Sequence, residues 1–301
     1  MKLIVKLLIL CSNFVFIISS YGQELPCMPG FVGTHYETEV NVSNPPYSDD
    51  MPKDVVRAYT FLDSLTKNSD IETFYGDLWR QDYNDTLQTI MKYLYKLVEY
   101  SPEKFLNYKI DGELKRKSVM DFYFAFIEQI RRVSPSPILD ASLTSSYLVA
   151  RVTVNSILMR ATSYKVQPKT VREVIATVDT IFKGKQLLEC GEEGASETFN
   201  CLKFDYVKEW FEESNPNFEM ELNKSYLIFF EYRMICNTKG TTYFSLLPLS
   251  TAGSAARSIY PIENDNLIDE HNELGFGSSV PINTVIEGIN SRIKAIKNYK
   301  N

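Results

Sequence analysis

The chain has 301 residues, 44% of them hydrophobic, and 38 Asp and Glu outnumber 32 Lys and Arg to give a formal charge of −6. No long basic tract is present, so nucleic-acid binding lacks the concentrated Lys and Arg that phosphate neutralisation requires. The length suits one large domain or two small ones without dependence on cross-links.

The first residues carry Lys2 and Lys6 around an apolar run that ends in Ser19, Ser20 and Gly22 before Gln23. That is the layout of a cleaved secretory signal peptide over residues 1–22, and it predicts a secreted or periplasmic protein. Ser12 and Asn13 break the run short of the roughly 20 apolar residues that cross a bilayer, so no stable membrane span is expected after cleavage. Leu10 stands before Cys11 where a lipoprotein signal wants Gly or Ala, which argues against lipidation. Beyond the leader lie Cys27, Cys190, Cys201 and Cys236. An even number in an exported chain is compatible with two disulfides, for which three pairings exist. Cys190 with Cys201 and Cys27 with Cys236 is the preferred one; the bland alternative makes Cys201 a small buried hydrophobe in a strand. Zinc has little support, because no Cys-x2-Cys pair occurs and the two histidines, His35 and His271, are far apart in sequence. No metal and no cofactor are expected.

Residues 23–51 hold Pro26, Pro29, Gly30, Gly33, Pro45 and Pro46 and predict an extended lead-in,. Asn41, Asn84 and Asn223 open glycosylation triplets, which matter only in a eukaryotic host. A helical region is expected over 52–133. Val55, Val56, Tyr59, Leu62 and Leu65 follow Pro52 at helical spacing, a second amphipathic stretch covers 71–100 with a break or cap near residues 82–85, and 118–133 forms a third helix,. Its aromatics, among them Tyr93, Tyr95, Phe122, Tyr123, Phe124 and Phe126, read more simply as core than as a stacking surface. Two Ser-Pro steps make 134–146 the predicted linker. From 147 to 301 the period becomes two. Leu148, Ala150, Val152 and Val154 share one face, as do Val174, Ala176 and Val178, with Lys183, Gly184 and Lys185 as a polar, flexible end,. Strands are expected again at 199–207, 225–235, 241–247 and 259–262. A closing helix capped by Asn283 carries Val285, Ile286, Ile289, Ile293 and Ile296 on one stripe.

Chemistry is thinly signalled. Ser279, His271 and Asp269 compose a nominal hydrolytic triad, without a Gly-x-Ser-x-Gly elbow around either Ser279 or Ser250. Carboxylate pairs such as Asp269 with Glu273, or Glu212 with Glu213, come from acidic runs that read as solvated loops. Gly275 and Gly277 lack the pattern of a phosphate loop and fit a tight turn that lets Phe276 tuck inward.

The order of phrases over residues 145–297 (the strand from Tyr147, the strand ending at Lys183 and Gly184, the turn at 222–225 feeding Tyr226 to Phe230, then a late Gly-x-Gly and a terminal helix) resembles the netrin-like module shared by tissue inhibitors of metalloproteinases. The resemblance implies an OB-type barrel in a secreted binding or structural module. It does not extend to the inhibitors' N-terminal Cys-x-Cys ridge: Cys27 is followed by Met28 and Pro29 and precedes the suspected barrel by a long stretch.

The expectation is therefore an α+β protein: an N-terminal helical region, then a mainly antiparallel OB-like β-barrel and a C-terminal helix. Its expected role is non-catalytic recognition of an envelope or extracellular protein, or of a glycan, through loops or strand edges, with Trp210, Tyr226 and Phe276 as contact candidates. The alternative is a secreted hydrolase built on Ser279, His271 and Asp269.

Overall fold

The computed structural model describes residues 52–66, 83–100, 109–110, 113–114, 116–161, 170–184, 201–207, 219–236, 242–249 and 258–299. Among these, α1 (Lys53–Thr66), α2 (Asp85–Tyr100), α3 (Arg116–Val133) and α4 (Pro137–Ser145) precede the main sheet, with a small ladder of β1 (Lys109–Ile110) and β2 (Glu113–Leu114) before α3. The sheet is built from β3 (Leu148–Ala161), β4 (Thr170–Lys183), β5 (Cys201–Val207), β6 (Ser225–Cys236), β7 (Thr242–Pro248), β8 (Ile259–Glu263), β9 (Asn266–Ile268) and β10 (Ser279–Pro281), and α5 (Ile282–Lys297) follows it. Every strand pair is antiparallel, in the order β10-β9-β8-β6-β3-β4-β5 with β7 also on β6.

Among the described residues the helices form where the spacing placed them, with two differences that follow from local chemistry; the 71–82 part of the expected second stretch lies outside the described residues. Asn84 caps α2, its Oδ1 accepting from Leu87 N at 3.0 Å, which accounts for the polar break near residues 82–85,. The predicted linker is instead the helix α4. Pro137 occupies a first-turn position, where its missing N–H costs nothing, and Leu139, Ala141 and Leu143 are buried,. A Ser-Pro step thus starts a helix here as readily as it ends one. Helix α5 begins at Ile282, before the expected Asn283 cap; the Ile282 amide donates to the Asp265 carbonyl at 2.8 Å, so a β-turn supplies the acceptor,.

Asp140 ties α4 to α5. It is fully buried, and Arg292 donates from Nε to its Oδ1 and from Nη2 to its Oδ2 at 2.5 Å, while Ser134 Oγ also donates to Oδ2. Arg292 Nη2 reaches Tyr83 Oη at 3.2 Å as well. The carboxylate raises the guanidinium above the ordinary arginine range, the direction expected of a hydrogen-bonded ion pair,.

Two cores result from the two faces of the sheet. Val149, Leu227, Phe229, Tyr260 and Ile262 face the helices, joined by Leu62, Leu94, Phe126, Leu143 and the α5 stripe Val285, Ile289 and Ile293. Large apolar side chains of this kind contribute about 1.5–3 kcal/mol each when fully buried. The opposite face carries Leu148, Ala150, Val152, Val154, Val174, Ala176, Leu202, Phe204, Tyr226, Ile228 and Phe230, largely packed on one another. Phe204 of β5 and Phe230 of β6 stand edge to face with centroids 5.0 Å apart, although β3 and β4 separate their strands. In a flat sheet three strand spacings would hold them about 14 Å apart. The sheet is therefore strongly coiled, and this second core is its concave interior.

Bulges account for the coiling. Along β3 and β4 the register skips Phe182, Asp179 and Asn155 in turn, and each extra residue bends and twists its strand,. The expected OB-type barrel is nevertheless not formed. β5 and β10 lie at opposite ends of the strand order, and β7 occupies the same edge of β6 as β8, since Leu249 N donates to Phe229 O and Phe229 N donates to Ser258 O. The fold is α+β with an open antiparallel sheet. Alternation correctly assigned faces, whereas closure depends on strand order and shear, which alternation does not encode.

The two expected disulfides do not stand among the described residues. Cys201 is a half-cystine whose partner lies outside the described side chains, so no complete disulfide stands among the described residues. Cys27 and Cys190 lie outside the described residues, as does the side chain of Cys236. The side chains of Phe122, Tyr123 and Phe124 are likewise outside them.

Candidate functional site

Strand β3 has 14 residues, yet only Leu148 to Thr153 pair with β6. Val154 N still donates to Lys224 O, and Asn223 N donates to Val154 O. Past that point no described strand covers this edge of β3, and its other edge pairs with β4 as far as Ala161. Past Val154, β3 is therefore the outer strand of a three-stranded part of the sheet, with β4 and then β5 on its other side. Leu158 and Met159 lie there, 52% and 74% exposed, and as consecutive strand residues they point to opposite faces,. An edge of this kind offers N–H and C=O groups to an incoming strand.

A polar ladder secures the base of the hairpin. Thr153 Oγ1 donates to Asp179 Oδ2 at 2.9 Å and lies 2.8 Å from Ser225 Oγ, while Asn155 Nδ2 donates to Thr177 Oγ1 at 2.8 Å. Arg151 Nε is 3.6 Å from Asp179 Oδ2. Asp179 and Asn155 are two of the bulged residues, so these bonds hold the bends that aim the hairpin.

Further along β4, Glu173 stands directly opposite Asp205 of β5, both carboxylates are buried, and Lys203 Nζ contacts Glu173 Oε2 at 2.7 Å. Like charges placed opposite one another are unfavourable without such a cation. The β4–β5 register is what brings the two acids side by side. Among the described residues, no group of three His, Cys, Asp or Glu side chains is arranged to hold a metal ion.

The sequence-predicted residues fall elsewhere. Asp269 is buried, and its two oxygens accept from Glu273 N at 3.0 Å and Leu274 N at 2.8 Å, so it organises the 269–278 loop. Ser279 is exposed in β10 opposite Ile268, which brings it near Asp269. His271 is exposed on the intervening turn, and among the described residues it bonds neither of them. Glu273 receives a hydrogen bond from Tyr260 Oη at 3.3 Å, whereas Glu212 and Glu213 lie outside the described residues. Tyr226 is only 3% exposed, inside the concave core, with Oη accepting from Glu221 N at 2.9 Å; burial pushes its phenol up. Phe276 tucks against Gly288 of α5, where a Cβ would meet its ring at 2.2 Å. Trp210 lies outside the described residues.

No helix among the described residues is long and apolar enough to cross a membrane. The chain matches no family model, and no curated protein or solved structure is similar to it. Together with the open sheet, this removes the support for membership of the netrin-like module.

Proposed function

We propose that this is an exported, non-catalytic binding protein that captures an extended segment of a partner protein by strand addition along the edge of β3 beyond Val154, which no described strand covers. One observation carries the reading: Leu158 and Met159 are exposed on opposite faces of a strand whose outer edge no described strand covers. Backbone pairing would supply affinity, and the two apolar side chains would supply contact on each face. Pairing of β3 with β4, itself backed by β5, and the side-chain bonds of Asp179 and Asn155 hold this edge in place, which pre-organises it and lowers the ordering cost of binding,.

The test is photo-crosslinking from position 159 of the mature protein in its native surroundings, followed by capture with a Leu158→Lys, Met159→Lys variant. Crosslinks that map to one extended segment of one partner, lost in the variant while thermal stability is retained, support the proposal. Undiminished capture by the variant refutes it.

A further inference from the structure

At the strand end expected to be polar and flexible, Lys183 is buried, while Lys185 lies outside the described residues. Lys183 is 2% exposed, and it pairs with Val149, which puts it on the helix-covered face of the sheet. Gly184 follows at φ +85°, and a Cβ there would stand 2.3 Å from the Tyr147 carbonyl oxygen, so the chain leaves the strand through a glycine-only corner,. Lys183 Nζ donates to the Leu143 carbonyl in the last turn of α4 at 2.5 Å and lies 3.9 Å from the centre of the Tyr95 ring on α2. One nitrogen thus joins two helices to the sheet.

Among the described residues no carboxylate contacts this amine; the Leu143 carbonyl and the Tyr95 ring face are what it touches. The carboxylate acting on the amine is Glu99 of α2, and it is already paired with Lys297 Nζ of α5 at 2.8 Å. Lys297, itself 5.1 Å from the same Tyr95 ring, opposes a second cation. From β3 the neighbour is apolar Val149, and from α4 it is a carbonyl; the Asp140 carboxylate of that helix is engaged by Arg292 and Ser134. Burial therefore holds the amine well below the ordinary lysine range, with Lys297 acting in the same direction and Glu99 against it,. Tyr95 Oη, and Thr144 Oγ1 and Ser146 Oγ at the end of α4, are buried with no hydrogen-bond partner among the described residues, so water admitted at the α2–α4 seam would find hydrogen bonds waiting,.

We propose that Lys183 is an acid-sensitive latch: its amine closes the seam between α2, α4 and the sheet without a charge, and taking up a proton draws water into the corner and loosens both helices. The proton comes from solvent and lands on the Nζ lone pair, and no other bond changes. The folded state binds this proton less readily than the unfolded chain, so stability falls as pH drops from the ordinary lysine value towards the folded one.

Two measurements on the full chain decide it. In protein carrying 13C-labelled lysine, one Cε resonance should titrate at lower pH than the rest, and it should vanish in Lys183→Met. Hydrogen exchange, corrected for its intrinsic pH dependence, should show α2 and α4 losing protection by about tenfold or more on acidification in the wild type and not in Lys183→Met. A Lys183 resonance that titrates with the other lysines overturns the proposal, as does equal loss of protection in both proteins. If Lys183→Met does not fold, the wild-type resonances alone decide between a separate and a shared titration.

Discussion

Replacing Asp140 by Ala should be among the most damaging single changes in the helical layer. The carboxylate is completely buried, and its loss strands the Arg292 guanidinium in the seam between α4 and α5, with Tyr83 Oη as its remaining described partner. Removing one member of a buried pair typically costs about 3–5 kcal/mol. Arg292 retains some exposure and can reach water, which favours the lower part of that range. Against a total stability of about 5–15 kcal/mol, this is a large fraction. Urea unfolding followed by circular dichroism should show the midpoint falling at unchanged slope. Arg292→Leu alone should cost a similar amount, whereas Asp140→Leu with Arg292→Leu should recover about 2 kcal/mol or more relative to the sum of the singles. A loss below about 1 kcal/mol for Asp140→Ala, or additivity of the two changes, would show that the bond seen here does not hold the helices together.

Four further outcomes follow from the same structure. Gly184→Ala should destabilise by more than about 2 kcal/mol in denaturant titration, because left-handed backbone strain adds to a clash with a backbone carbonyl that has little freedom to move,. Phe204→Ala should cost about 3–5 kcal/mol by the same assay, since the ring fills the concave core against Phe230; a loss below about 1 kcal/mol would mean the sheet does not curl over it,. Burial pushes the phenols of Tyr95 and Tyr226 up, so the folded state keeps their protons above pH 10, where the unfolded chain releases them; stability should fall as pH rises through that region, with their phenolate absorbance appearing only on unfolding,. Leu158→Lys with Met159→Lys should change stability by no more than about 0.5 kcal/mol, as expected of exposed positions, and a larger loss in thermal melts would mean these side chains are already covered,.

Periodicity by itself marked the described helices other than α4, the longer strands, and which side chains of each strand share a face. Val152 and Val154 with Val174 and Ala176 do line one core, and the stripe from Val285 to Ile296 does bury α5, because side-chain direction is a local property of backbone geometry,. Local signals failed where two distant segments had to meet. Ser-Pro before Pro137 has the same composition whether it ends one helix or begins the next, and the packing of Leu139 and Leu143 made it a beginning. The lysine in a Lys-Gly-Lys end looks solvated until the pairing with Val149 carries it beneath α2 and α4. Glu173 and Asp205 became neighbours only through strand register, and β3 runs on past the point where its pairing with β6 ends at Thr153. Whether a coiled sheet closes is likewise decided by which strands occupy which edge of β6, a relation between residues far apart in the chain that no local pattern contains,.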